Sequence, residues 1–207
     1  MIPIRPSNEE EFQEREAIGI IRASRFVRLY AKSKNPIDVS VVCNIHRTIF
    51  KEAWLDIAGV YRQENLEITF SKHKPPHHSQ VPQLMQEADI SLILKLKEIK
   101  SLQGVIIHDV HLSEEESLNL QKIIDLSAWV HHKITHIHPF REGNGRTARL
   151  AGNLILERFG LVGISIKIEK ENKERYRKAL TQIDEYADYE PLKEMISEGL
   201  LERYESI

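Results

Sequence analysis

Apolar residues recur along most of this chain at spacings of three and four, the period of a helix with one buried face. From Ser7 onward, Phe12, Ala17, Ile20, Ile21, Ala23, Val27 and Tyr30 fall on one stripe. Ser7 can cap that helix, with Glu10 three residues on completing a capping box, and Asn35-Pro36 ends it. This predicts a helix over about 8–34. A second helix from about Asp38 to Trp54 carries Val41, Val42, Ile45, Ile49 and Phe50. Further helices are predicted at roughly 82–100, 113–136, 147–159, 170–183 and 190–204, and Gly160 closes the fifth of these seven as a C-terminal cap should. The pattern breaks once. Leu66, Ile68 and Phe70 alternate with Glu67 and Thr69, which predicts a short strand over 65–70. Lys72 to His78, with Pro75-Pro76 inside, reads as an exposed loop. No repeat, linker or low-complexity tract interrupts the chain. The expected architecture is therefore one mainly α-helical domain over 1–207 with a β-hairpin flap, the helix over 8–34 packing on a core of about 40–200.

Between the helix ending near His136 and the next lies His138-Pro139-Phe140-Arg141-Glu142-Gly143-Asn144-Gly145-Arg146-Thr147-Ala148-Arg149. Unpaired N–H groups at a helix start favour an anion, and glycines allow close backbone approach. His138 is the loop's candidate base near neutral pH. Glu142, acceptor-only when ionised, suits a Mg²⁺ beside bound phosphates. Arg146 and Arg149, three apart, can each grip a phosphate with a bidentate fork, and Asn144 can donate to a further oxygen. Positive charge at a helix start is unfavourable unless an anion compensates it, which weighs against a merely solvated pair. Together these describe attack of a deprotonated hydroxyl on a nucleotide phosphate.

At these positions the chain resembles the Fic family, whose motif reads H-x-F-x-D/E-G-N-G-R-x-x-R, and every fixed position is met. Trp54 to Arg62 is similar to the element W-x-x-x-G-x-Y/F-R that precedes the family's flap. Phe70 to Met85 is similar to the flap and the helix start after it. Arg175–Leu180 and Asp188–Leu192 resemble the C-terminal helices. The resemblance implies a protein adenylyltransferase: AMP moves from ATP to a Ser, Thr or Tyr hydroxyl of a target protein, and pyrophosphate leaves. On that reading His138 takes the hydroxyl proton and Glu142 holds Mg²⁺. Gly143, Asn144 and Gly145 line the anion hole, while Arg146 and Arg149 hold the β- and γ-phosphates. A kinase relative carries Lys where this chain has Gly145, and a phosphocholine-transferring relative exists. Those donors are the alternatives, together with a nucleotide-binding interaction module that does not turn over. The resemblance also places Thr69, Phe70, Ser71 and Lys72 of the flap beside the target peptide, by main-chain pairing.

Composition adds little. Lys and Arg (29) nearly balance Asp and Glu (31), so no electrostatic argument favours nucleic acid. No apolar run approaches the ~18 residues that cross a bilayer. A single cysteine and an N-terminus without basic-then-apolar order favour a cytoplasmic enzyme. His132 and His136 lie four apart with His138 following, which raises zinc; without a Glu after His132 or supporting cysteines, they read as polar decoration of a helix edge. The family's inhibitory element, S/T-x-x-x-E-G/N, has no complete copy. Ser7 to Phe12 and Glu194 to Gly199 come nearest, through Glu11 and Glu198. Inhibition is accordingly expected from a small antitoxin-like protein or from self-association.

Overall fold

The computed structural model describes residues 4–69, 71–102, 112–166 and 171–205. Phe70, Met1 to Pro3 and the expected helix start at Lys170 lie outside them. Seven α-helices occur among the described residues: α1 (Glu9–Ala31), α2 (Val39–Phe50), α3 (Val81–Leu96), α4 (Glu114–Ile137), α5 (Asn144–Arg158), α6 (Glu171–Tyr186) and α7 (Glu190–Glu205). Short 3-10 turns occupy Leu55–Ile57 and His78–Gln80.

The helix ends show why each begins and stops there. α1 is capped by Asn8, whose side chain accepts from Glu11 N at 3.1 Å, so the cap lies one residue beyond the expected Ser7. Both residue types favour this position, and the Asn amide has the reach here. Asp38 caps α2 through Ser40 N and Val41 N, and Ser113 with Glu116 forms a complete capping box on α4. Gly160 (φ +95°) ends α5 in a Schellman arrangement, with Gly160 N on Glu157 O and Leu161 N on Leu156 O.

α4 and α5 are antiparallel neighbours at the centre. α1 packs on α2 and α5, α3 on α2 and α4, and α7 on α4 and α6. Apolar side chains from Phe12 to Leu200 form one connected core, with Ile45, Ile49, Ile123, Leu154, Ile155 and Leu192 fully enclosed. The α1–α2 crossing is close because Gly19 has no side chain; a Cβ there would meet Ile49 O at 2.0 Å.

The expected strand over 65–70 is not found. Residues 65–69 are irregular, ending in a turn with Ser71 N on Ile68 O at 3.1 Å, and there is no strand among the described residues. Alternation marks a half-buried extended segment, but a strand also needs a partner edge, and none is found among the described residues. Side chains anchor this region instead. Asn65 accepts from His78 N, and His73 bonds the carbonyl oxygen of His136.

Candidate active site

The loop between α4 and α5 is bracketed by two residues in the left-handed region. α4 ends at Ile137, and His138 turns the chain at φ 52°, ψ 57° while its N–H still reaches Ile134 O at 3.0 Å. Gly143 (φ 75°) then caps α5, which starts at Asn144 rather than at the expected Thr147. A side chain at Gly143 would also strike Phe50, since a Cβ there would lie 2.2 Å from the ring.

A left-handed histidine costs energy and must be held. The buried Arg62 holds it. Its Nε donates to His138 O at 2.7 Å, and its terminal nitrogens reach Glu64 O (2.9 Å), Pro76 O (2.6 Å) and Ile137 O (3.4 Å). Arg62 N also bonds Pro139 O at 2.9 Å. One guanidinium thus ties the loop to the Trp54–Arg62 element and to the segment before α3.

The position of the His138 ring decides its chemistry. Nδ1 lies 3.1 Å from Thr135 O, and a carbonyl can only accept, so Nδ1 carries the proton of the neutral ring. Nε2 keeps its lone pair. Burial holds the imidazole below its ordinary pKa, the Thr135 bond opposes that, and the charges of Arg62 and His73 reinforce it.

The loop interior is fastened by two more residues. Asn144 closes a pair with the Phe140 peptide, accepting from Phe140 N at 2.9 Å and donating to Phe140 O at 2.7 Å. Its amide, expected to reach a phosphate oxygen, is therefore a clip for the turn. His46 on α2 stacks on Phe140 (centroids 3.8 Å apart, 8° between planes). It accepts from Gly59 N at 2.9 Å through Nδ1 and donates through Nε2 to Glu142 O at 3.0 Å. A ring so bonded is neutral, and burial drives its pKa down to about 4.

The charged groups face outward from this frame. Glu142 Oε1 accepts from Gly143 N at 3.0 Å and from Arg146 at 2.9 Å, so a carboxylate lies at the start of α5, where the helix favours one. Arg146 also pairs with the buried Glu16 of α1 and sits 5.6 Å from the Phe50 ring centroid. These two carboxylates compensate its charge at the helix start. Burial raises the Glu16 pKa against the pull of Arg146, and its Oε1 has no hydrogen-bond partner. Arg149 turns the other way, to the Tyr176 hydroxyl of α6, which bonds His131 at 2.7 Å. Gly145 has helical backbone, and a Cβ there would meet only the Arg149 guanidinium at 3.5 Å; it leaves space beside that cation.

His138, Glu142, Gly143, Gly145, Arg146 and Arg149 are thus gathered at one helix junction. Thr69, Ser71 and Lys72 belong to the turn leading into His73, which joins the end of α4 two residues before His138. Glu11 pairs with Arg15, and Glu198 with Arg175 at 2.6 Å, so neither reaches the loop. The acidic residues from outside the loop that do are Glu16, on Arg146, and Glu64, on Arg141. Sequence reasoning missed them, along with Tyr176, His46 and the clamping role of Arg62; the Trp54–Arg62 element was the available signal for the last. His132 and His136 are not edge decoration either, since both bond Asp184 of α6, at 2.9 and 2.7 Å.

A helix start with two half-buried guanidiniums, a carboxylate and an imidazole lone pair has the chemistry to take an anion with a proton acceptor nearby. Comparison with known proteins gives the class a family. Residues 36–156 match the Fic/DOC family, and the chain belongs to it. It is 30% identical over 159 residues to the protein adenylyltransferase Fic of Nematostella vectensis, covering 76% of this chain and 32% of that protein. It is 26% identical over 189 residues to the protein of the same name from Aedes aegypti, covering 90% and 32%. The chain spans about a third of the length of these relatives. Among solved structures, C. elegans Fic-1 (residues 134–508) superposes with TM-score 0.70 at 22% identity, covering 98% of this chain and 54% of that one. The BepC protein of Bartonella tribocorum, solved with bound AMPPNP, superposes with TM-score 0.64 at 17% identity, covering 94% and 88%. These likenesses establish the fold.

Proposed function

We propose that this chain is a protein adenylyltransferase, moving AMP from ATP to a Ser, Thr or Tyr hydroxyl of a target protein. The observation that carries the reading is the tautomer of His138: a half-buried imidazole whose Nδ1–H donates to Thr135 O and leaves the Nε2 lone pair free, in the same loop as Arg146 and Arg149. The names of the curated relatives support the same chemistry.

In the step proposed, the target hydroxyl oxygen bonds to the α-phosphorus as its proton passes to His138 Nε2. The bond from that phosphorus to the β-phosphate bridging oxygen breaks, and pyrophosphate leaves. Arg146 and Arg149 hold the β- and γ-phosphates, and the N–H groups from Gly143 to Gly145 face the charge that develops. Asn144 and His46 act through the loop, by keeping its backbone in place. Glu142 fits a Mg²⁺ site, because its carboxylate is 42% exposed and Mg²⁺ is held by one or two carboxylates with phosphates and water. Bound there, the ion would neutralise phosphate charge.

Arg146 cannot pair fully with a phosphate and with Glu16 at once. We infer that Glu16 restrains nucleotide binding from within the chain; a small antitoxin-like protein, or a second copy packing on α1, would reinforce that contact.

The donor is tested by incubating the protein with Mg²⁺ and lysate of its source cell, using ATP labelled at the α- or the γ-phosphate. Protein-bound label from the α-phosphate alone is expected. Label from the γ-phosphate alone would make the chain a kinase and overturn the reading.

A further inference from the structure

We propose that His73, His136 and Asp184 form a zinc site that fastens the segment before α3 to α4 and α6. The proposal goes beyond the transfer reading and does not depend on it. The three residues are remote in sequence yet present ligand atoms within 4.8 Å of one another. His136 Nδ1 lies 2.7 Å from Asp184 Oδ1, and His73 Nδ1 lies 3.9 Å from Asp184 Oδ2. Tetrahedral zinc, with bonds of 2.0–2.2 Å to N and O, sets its ligand atoms roughly 3.3 Å apart, between those two separations.

The hydrogen bonds around the cluster indicate that a cation belongs in it. His73 Nε2 is 2.8 Å from the carbonyl oxygen of His136, so Nε2 carries the proton of the neutral ring. Its Nδ1 lone pair then faces a carboxylate oxygen, Asp184 Oδ2. A metal cation between these two acceptors would turn the contact into an attractive one.

The surroundings have the features of a metal site. The His73 Nε2–H bond to the backbone fixes that ring with Nδ1 turned inward, as the second bond of a ligating histidine does. His132 donates through Nε2 to Asp184 at 2.9 Å, and its Nδ1 is 3.2 Å from the Tyr189 hydroxyl. His132 thereby orients the carboxylate ligand. Two imidazoles and a carboxylate suit zinc, whereas Mg²⁺ prefers oxygen alone, so this site is chemically distinct from Glu142. A groove lined by Lys72, His73, Lys74, Thr181, Asp184 and Glu185 opens onto the cluster and gives an ion and a fourth, water ligand access. Binding displaces one proton, from His136 Nδ1.

The consequence is positional. One ligand lies two residues before His138 and another immediately after Lys72, so an ion here would set the distance between the proton acceptor and Ser71-Lys72.

The test is titration of the whole metal-stripped protein with Co²⁺ and then Zn²⁺. One equivalent of Co²⁺ should give the intense visible absorption of tetrahedral cobalt, and one equivalent of Zn²⁺ should abolish it. Asp184→Asn and His73→Gln should lose the signal with unchanged circular dichroism, and His132→Gln should weaken binding about 10- to 100-fold. Glu142→Ala and the double variant His77→Gln, His78→Gln should bind as the parent does. No uptake, an octahedral spectrum, binding that survives Asp184→Asn, or loss in the His77/His78 variant would each overturn the proposal.

Discussion

Arg62 Nε donates to the carbonyl oxygen of His138 at 2.7 Å, and by that bond a residue before the flap holds the backbone of the proposed base in a left-handed turn. The guanidinium also serves carbonyls of Glu64, Pro76 and Ile137. Arg62→Ala leaves these buried acceptors without a donor and should cost about 3 kcal/mol or more of unfolding free energy. Arg62→Lys, a point charge in place of a fork, should fold but lose at least tenfold in kcat. Urea unfolding beside a transfer assay checks both. A lysine variant with full activity would show that the turn does not depend on the fork.

Glu16 and phosphate compete for Arg146. Glu16→Gln keeps the side-chain shape but removes the charge that opposes an anion. ATP binding measured by calorimetry should tighten about tenfold, the worth of one charge-assisted hydrogen bond. Unchanged or weaker affinity would show that Glu16 only supports the guanidinium.

Gly143→Ala combines a disfavoured φ of +75° with a Cβ placed 2.2 Å from the Phe50 ring. It should lower stability by about 2–4 kcal/mol, seen as an earlier urea midpoint at unchanged slope. Gly145→Ala, with helical backbone and open space, should cost little stability.

Burial drives the His131 pKa down to about 3, and His46 follows at about 4. The unfolded chain takes up protons on both as pH falls through their ordinary value of 6.5, while the folded chain resists. Their contribution to stability is complete above pH 6.5 and is lost progressively as pH falls from 6.5 to about 4 for His46 and about 3 for His131. Each adds about 1.4 kcal/mol per pH unit to the slope across that interval. His131→Gln, which can still bond Tyr176, should flatten the dependence of unfolding free energy on pH between 6 and about 4.5 by one proton. An unaltered slope would mean that His131 is protonated in the fold.

What the sequence showed, and where it stopped, follows from the range of the interactions. The α1, α2, α4 and α7 stripes were legible because helix periodicity is local, and the loop at 138–149 because its residues are contiguous. Asn8 in place of Ser7 is a choice between equivalent caps. The irregular course of 65–69 was not legible because strand formation depends on a partner edge, which local alternation does not report. Glu16 with Arg146, Arg149 with Tyr176, and His73 with Asp184 were invisible because each pair joins distant segments that only the packed helices bring together.

The central claim is that His138 takes the proton and does not merely line the pocket. Transfer and ATP affinity should be measured in parallel for the parent protein and His138→Ala, with target-bearing lysate and α-labelled ATP. A loss of about 10²- to 10⁴-fold in transfer with ATP affinity unchanged is expected. Transfer that persists in the variant at the parent rate would contradict the claim.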